Sequence, residues 1–505
     1  MPLTTRETVA RETPADRATS SSVGRCGRPG RLVVIPAFIP RSESALRSWG
    51  GRGLIGGAGR LKVKPSGHTS DVWEWVRLMP MQPWFSDAKL GIFVHYGVYA
   101  VDGVPESWAF YDGRVSREQY FGQLAGFTAA RYDPDAWARL FARAGARYAV
   151  LTARHHDGVA LWDTAQQGLS VARDTPAGRD LVGGYADALR AHGLRVGLYY
   201  SHSDWSHPDY ATVRHPSPDD GTAGIPVNDS RFSAPEPGAE DPAAWRRYLA
   251  YRDAQVRELT TRYRPDLLWF DGEWERSVEQ WGIDALADDI LAVTPQAVLN
   301  ARMLHRGDYA TPEQGVPLVA PDGPWELCLT VNDSWGFQPQ DHRHKSVGQL
   351  VRYLAETVGA GGNLLLDVGP REDGTITPEQ ADRLEGLGAW TARHAPAVYG
   401  TSAGLPPGHH YGPSTLSADR RTLYLTCFDP PRETVSVRGL RNAVRRATVL
   451  GTGTEVGHHV TGGLHDVPGV LWIDAPAPRD VDPYATVLAL ELDGELELYR
   501  GTGRD

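Results

Sequence analysis

Seven short apolar runs recur between residues 84 and 369, and helix-like sequence follows most of them. They lie at 91–95, 148–153, 195–200, 267–270, 297–301, 326–330 and 363–368. Runs such as Leu267-Leu268-Trp269-Phe270 show no polar alternation. Strands of that kind must be covered on both faces, which parallel sheets flanked by helices achieve. The helices between them have legible ends: Asp133 can cap one, Pro134 fits its first position and Gly145 can end it. Asp241-Pro242 opens another, with Trp245, Leu249, Val256 and Leu259 along its expected buried side. Seven visible strands and one irregular one predict an α/β fold of the (β/α)8-like, TIM-type barrel class. A doubly wound sheet is the alternative, but no Gly-rich phosphate-binding turn follows the first run.

The chain around this core divides by composition. Residues 1–78 are rich in Arg, Ser, Thr and Gly, and their only apolar run, Leu32-Val33-Val34-Ile35, stops at Pro36. We expect a basic, disordered extension there rather than a signal peptide, with Met79 or Met81 as an alternative translation start. Residues 79–400 are expected to form the barrel domain. From 401 to 505 the pattern becomes short β-rich runs at 422–428, 434–437, 446–450, 470–473 and 486–492, which predicts an all-β sandwich. A Pro/Gly/Asp-rich insertion at 206–241 follows the third run and is read as a wall of any site on that face.

A net charge of −10 argues against a nucleic-acid partner, and no apolar run is long enough to span a membrane. The three cysteines, Cys26, Cys328 and Cys427, are far apart and give neither a disulfide framework nor metal spacing. A reducing, cytoplasmic setting is the expectation. The sequence carries no signal for oligomeric state.

Polar groups gather where the runs end. The first ends in His95-Tyr96-Gly97, the second in His155-His156-Asp157-Gly158, the third in Ser201-His202-Ser203-Asp204-Trp205 and the fourth in Asp271-Gly272. In a parallel barrel those ends share one face, so they predict one site. Such a set could hold a metal that activates water, as in a metal-dependent barrel hydrolase. The first run has no His-X-His, however, and the chain's only lysines are Lys62, Lys64, Lys89 and Lys345. The other chemistry is glycoside cleavage by two carboxylates, with aromatic residues (16 of them Trp) against sugar rings.

The residues also carry a family resemblance. Trp84-Phe85 through Lys89-Leu90-Gly91-Ile92-Phe93-Val94-His95-Tyr96-Gly97, the His155-His156-Asp157-Gly158 run, Gly197-Leu198-Tyr199-Tyr200-Ser201, Trp269-Phe270-Asp271-Gly272-Glu273-Trp274 and Gly362-Asn363-Leu364-Leu365-Leu366 with Gly369-Pro370 resemble α-L-fucosidases of glycoside hydrolase family 29. The resemblance implies a barrel with a C-terminal β-sandwich, retention of configuration, and neither metal nor cofactor. It implies a fucosylated oligosaccharide or glycoconjugate as partner. By position, Asp271 matches the nucleophile, and His95, Glu106, Trp108, His155, His156, Tyr200 (or its neighbour Tyr199), Trp269 and Arg302 match substrate-binding residues. Ser107 separates Glu106 from Trp108 where many members have the pair adjacent. Tyr96 and Asp367 stand where Trp and Asn are frequent, and neither is expected to touch the chemistry directly.

The acid/base varies in position within that family. Glu313 is favoured here, Glu326 is second, and Glu273 is expected to pair with an arginine. A non-catalytic fucose-binding protein is the other reading, and it would keep the histidines and Trp269 while losing an acid. The scattered aromatics of the C-terminal module, Tyr411, Tyr424, Trp472, Tyr484 and Tyr499, point to a bracing role for it.

Overall fold

The computed structural model describes residues 81–210 and 241–501. The N-terminal extension and most of the 206–241 insertion lie outside those residues. Seven parallel strands form the central sheet: β1 (Leu90–Val94), β2 (Tyr148–Arg154), β3 (Arg195–Ser201), β4 (Leu267–Asp271), β5 (Val298–Leu299), β6 (Glu326–Thr330) and β7 (Asn363–Val368). Their order is β5-β4-β3-β2-β1-β7-β6. The expected run at 297–301 shrinks to the two residues of β5.

The irregular eighth strand is residues 309–314, which bridge the sheet's two free edges. Tyr309 pairs with Asn300 beyond β5, while Ala310 pairs with Trp325 and Glu313 with Cys328 on the β6 side, all in parallel register. Cys328 N–H donates to Pro312 O at 3.0 Å and Gln314 N–H to Cys328 O at 2.8 Å. Pro312 has no N–H to give, and Gln314 takes φ +60, so the segment cannot run on as a regular ladder. The ring therefore closes on eight strands.

Side chains of the ring alternate, apart from a register shift in β2 between Thr152 and Arg154. Phe93, Tyr148, Val150, Tyr199, Leu267, Trp269, Val298, Cys328 and Leu365 pack together inside it, over Phe85 and Ala88 of the helix Pro83–Ala88. Their neighbours Val94, Leu151, Leu198, Tyr200, Leu268, Phe270 and Leu366 join the larger core under the helices. Those helices begin as their sequences require. Ala136 N–H donates to the Asp133 carboxylate at 2.9 Å, and Ala243 N–H to Asp241 at 2.8 Å. Gly145 ends the helix Pro134–Ala144 at φ +91, a left-handed position where glycine carries no Cβ penalty. The helix Pro242–Tyr263 buries Val256 and Leu259 as expected, but its buried side also takes Tyr248, Tyr251, Arg252 and Gln255. No described helix is long and apolar enough to cross a membrane.

After the long helix Pro378–Val398 come eight short antiparallel strands: β8 (Ser402–Ala403), β9 (Ser414–Leu416), β10 (Thr422–Cys427), β11 (Thr434–Val437), β12 (Val444–Val449), β13 (His458–Thr461), β14 (Val470–Asp474) and β15 (Thr486–Leu492). They form sheets ordered β12-β15-β10-β9-β8 and β11-β14-β13 around a core of their own. This module is bonded to the long helix. Trp390 Nε1 donates to Ala485 O at 3.0 Å, and Thr415 Oγ1 to Ala397 O at 2.7 Å.

The same helix crosses Pro134–Ala144 at Gly388, where an added Cβ would stand 2.0 Å from Arg143 O. Backbone cannot yield as a flexible side chain does. Gly388→Ala should therefore destabilise the fold by about 1–3 kcal/mol, read as a lower midpoint in thermal unfolding. An unchanged midpoint would show that the two helices can part without cost.

Candidate active site

Period-two alternation decides which side chains reach the upper mouth of the barrel. Residues 93 and 95, 199 and 201, 269 and 271, and 365 and 367 occupy inward positions, so Phe93 leads to His95 and Trp269 to Asp271. A cavity of about 150 Å³ opens there, with Asp271, His95, Glu106, Trp108, His155, Trp269, Arg302 and Glu313 all lining it. His156 stands beside them, its Nε2 3.6 Å from Asp271 Oδ2.

Asp271 ends β4 and is followed by Gly272 at φ +79, which turns the chain into the short helical turn Glu273–Glu275. Tyr199 Oη donates to Asp271 Oδ2 at 2.9 Å. Tyr199 also stacks on Trp269, with ring centroids 5.7 Å apart and planes 20° from parallel. Tyr200 faces the other way. Its hydroxyl donates to Gln255 at 2.9 Å beneath the helix Pro242–Tyr263, and the Arg154 guanidinium lies over its ring. The site tyrosine is thus Tyr199, because a one-residue step along a strand reverses the face.

Each histidine has one ring nitrogen fixed. His95 Nδ1 meets Asp367 Oδ1 at 2.6 Å, and both residues are buried. Asp367 does not line the cavity and bears on the site through His95. It lies two residues after Leu365 on the inward face of β7, opposite Phe93. Burial disfavours charge on His95, but Asp367, with Glu106 and Asp271 further off, overcomes that and raises its pKa. Burial lifts Asp367 to about 6 despite His95 beside it. The two groups titrate as a coupled pair.

His155 Nδ1 bonds Ser107 Oγ, so the serine inserted between Glu106 and Trp108 orients an imidazole. His156 Nδ1 bonds Ser201 Oγ at 2.6 Å. Burial pulls His155 well down and His156 to about 4, leaving both rings neutral. Glu106 accepts from Gly336 N–H at 2.6 Å, and its burial raises its pKa against the pull of His95.

Arg302 links the remaining acids. Its Nη1 reaches Glu273 Oε1 at 3.1 Å and its Nη2 reaches Glu313 Oε1 at 2.6 Å. Glu273 has the expected arginine pair, and Glu313 shares it. Enclosure raises the pKa of Glu313, Arg302 opposes this, and the charge of Asp271 adds to it. Glu326 is elsewhere. It opens β6 at the lower end of the barrel, fully buried, and accepts from Tyr148 Oη, from Trp269 Nε1 at 3.1 Å and from Tyr309 Oη at 3.3 Å. Burial lifts it to about 7, yet it does not line the cavity and cannot exchange protons there. The strand ends that form the site are the opposite ends.

Phe93, Trp274, Cys328 and Trp335 complete the lining. Phe93 and Cys328 follow from alternation. Trp335 sits in an irregular loop after β6, packed 5.2 Å from His95, and no local pattern marks it. Among the described residues, no group of three or more His, Cys, Asp or Glu side chains is arranged to hold a metal ion.

The family model for α-L-fucosidase matches residues 61–396, more than half of the chain. The chain belongs to the α-L-fucosidase family. The tissue α-L-fucosidase of Rattus norvegicus is 31% identical over 364 residues, which is 67% of this chain and 73% of that one. Among solved structures, α-L-fucosidase isoenzyme 1 from Paenibacillus thiaminolyticus superposes with a TM-score of 0.71 at 34% identity, covering 81% of this chain and 98% of that one. The Thermotoga maritima α-fucosidase in complex with fucose gives 0.66 at 29% identity, covering 81% and 97%. This α-L-fucosidase is therefore a hydrolase, with a (β/α)8-type catalytic domain and fucosylated glycans as its substrate class.

The His95–Asp367 pair gives this fucosidase a defined pH response. A raised histidine pKa keeps the pair charged as pH rises, until that raised value is passed. Asp367→Asn removes the nearest anion and leaves burial as the dominant influence, so His95 should lose its proton at lower pH. The imidazole Cε1–H resonance, assigned with His95→Gln, should titrate with a lower midpoint in the variant. A midpoint that stays or rises would show that the two groups are not coupled.

Proposed function

We propose that this chain cleaves α-L-fucosides from glycan ends with retention of configuration, through a covalent fucosyl-Asp271 intermediate. The observation that carries the reading is Asp271 itself: an acid on the inward face of β4, bonded at one oxygen by Tyr199 and enclosed with His95, His155 and aromatic rings. A cavity of about 150 Å³ is well below the roughly 300 Å³ at which sites for larger ligands begin, which suits a single terminal ring.

In the first step an Asp271 oxygen attacks the anomeric carbon while the glycosidic oxygen leaves, taking a proton from Glu313. In the second, Glu313 accepts a proton from water as that water attacks the same carbon, and Asp271 departs as carboxylate. Two inversions give net retention. Glu313 suits the donor role because enclosure and the charge of Asp271 favour its protonated form. Arg302 limits that rise, and it also steadies the carboxylate once the proton has gone. His95 and Glu106, buried with polar atoms turned to the cavity, bind ring hydroxyls, and Trp269 and Phe93 receive the apolar face that carries the methyl group.

Asp271→Asn should lower kcat on 4-nitrophenyl α-L-fucoside by about 10³-fold or more, since no other group can form the intermediate. Activity within tenfold of the parent would remove Asp271 as nucleophile. Glu313→Ala should cost about 10²- to 10⁴-fold on fucosylated oligosaccharides and far less on the 4-nitrophenyl substrate, whose leaving group needs little protonation. Azide should restore turnover and give a fucosyl azide of the substrate's own anomeric configuration. Equal losses on both substrates, without rescue, would assign the acid elsewhere.

A further inference from the structure

Trp274 is an exception among the aromatic side chains around the barrel mouth. It is 37% exposed, whereas Trp205, Trp269 and Trp281 nearby are buried. Its indole N–H has no partner among the described residues. The ring also lines the cavity, so its exposed part stands at the opening.

The backbone beneath it is fixed from both sides. Glu273, one residue before, pairs with Arg302 at 3.1 Å, and its carbonyl accepts from Trp281 Nε1 at 2.8 Å. Glu275, one residue after, is buried and accepts from Trp205 Nε1 at 3.2 Å and Tyr210 Oη at 2.5 Å. The ring is then backed by Trp108, nearly parallel at 18° with centroids 6.2 Å apart. Trp108 in turn abuts Trp205 edge-on at 5.0 Å, and Trp205 stacks on Tyr111 at 4.1 Å. A rigid aromatic wall thus begins in the core and ends in one outward-facing indole, three residues after Asp271.

The cavity holds one ring, so the group attached through the glycosidic oxygen must leave past its mouth, where Trp274 stands. We propose that the outer face of Trp274, braced by Trp108, is the platform for the leaving-group sugar: a hexopyranose whose C–H face stacks on the indole. This rests on the fucosidase reading of the pocket and names the side chain that selects what fucose is attached to. A flat apolar surface held still lowers the ordering cost of binding and favours pyranose or aryl leaving groups over small ones.

The test compares an α-L-fucosyl-galactose disaccharide with α-L-fucosyl fluoride, whose leaving group has no ring. Trp274→Ala should lower kcat/KM on the disaccharide about tenfold more than on the fluoride, with KM carrying most of the difference. Trp274→Phe should recover most of the loss, because a smaller ring still stacks. Equal losses on the two substrates would overturn the proposal and confine the contribution of Trp274 to the fucose pocket it lines. No loss on either would overturn it as well. A parent enzyme that turns over neither substrate would instead refute the proposed fucosidase chemistry, and this inference with it.

Discussion

Closure of a parallel sheet on itself leaves each strand residue only two destinations, the interior of the ring or the layer under the helices. Everything at the site depends on that restriction. Trp269 and Asp271 share the inward row of β4, and Leu365 and Asp367 share that of β7. The closing segment at 309–314 matters equally. Pro312 and the left-handed Gln314 spoil its ladder, and the departure from regularity leaves Glu313 at the mouth rather than within a strand.

Placing so many ionisable groups together is costly unless each has a partner. The fold provides partners in pairs: Asp367 for His95, Ser107 for His155, Ser201 for His156, and one guanidinium shared by Glu273 and Glu313. Behind them, buried Arg154 meets Asp204 at 2.9 Å and donates to the carbonyls of Ser201 and Ser203, which fixes the loop after β3. The consequence is a division of charge. His155 and His156 are held toward the neutral form by burial, Asp367 favours the charged form of His95, and Arg302 opposes the rise that burial gives Glu313.

Much of this was legible beforehand, and the failures share a cause. The strands at 326–330 and 363–368 match the sequence to the residue, the second because Gly362 and Gly369-Pro370 bound its apolar run. Three short strands, β8, β9 and β13, carry no such signal: β8 and β9 have two and three residues, and β13 is mostly exposed and lacks apolar alternation. Tyr200 was preferred to Tyr199 because both lie at the end of one run, and only the phase of alternation separates them. Glu326 is a candidate in sequence as the acid that begins the next strand, but the start of β6 lies at the end of the barrel opposite Asp271. The family resemblance located the histidine pair and Asp271 but gave no reason for Ser107 or Asp367, whose partners lie 48 and 272 residues away.

The sequence by itself determined the class of fold, the family and the identity of most groups around the cavity. Those properties follow from local apolar periodicity, helix caps and short motifs, each contained within a few residues. Tertiary structure decided which face each strand residue takes, which acid pairs with which base, and that one tryptophan after Asp271 stays partly exposed at the cavity mouth. Those outcomes depend on the phase of side-chain alternation and on contacts between strands far apart in the chain.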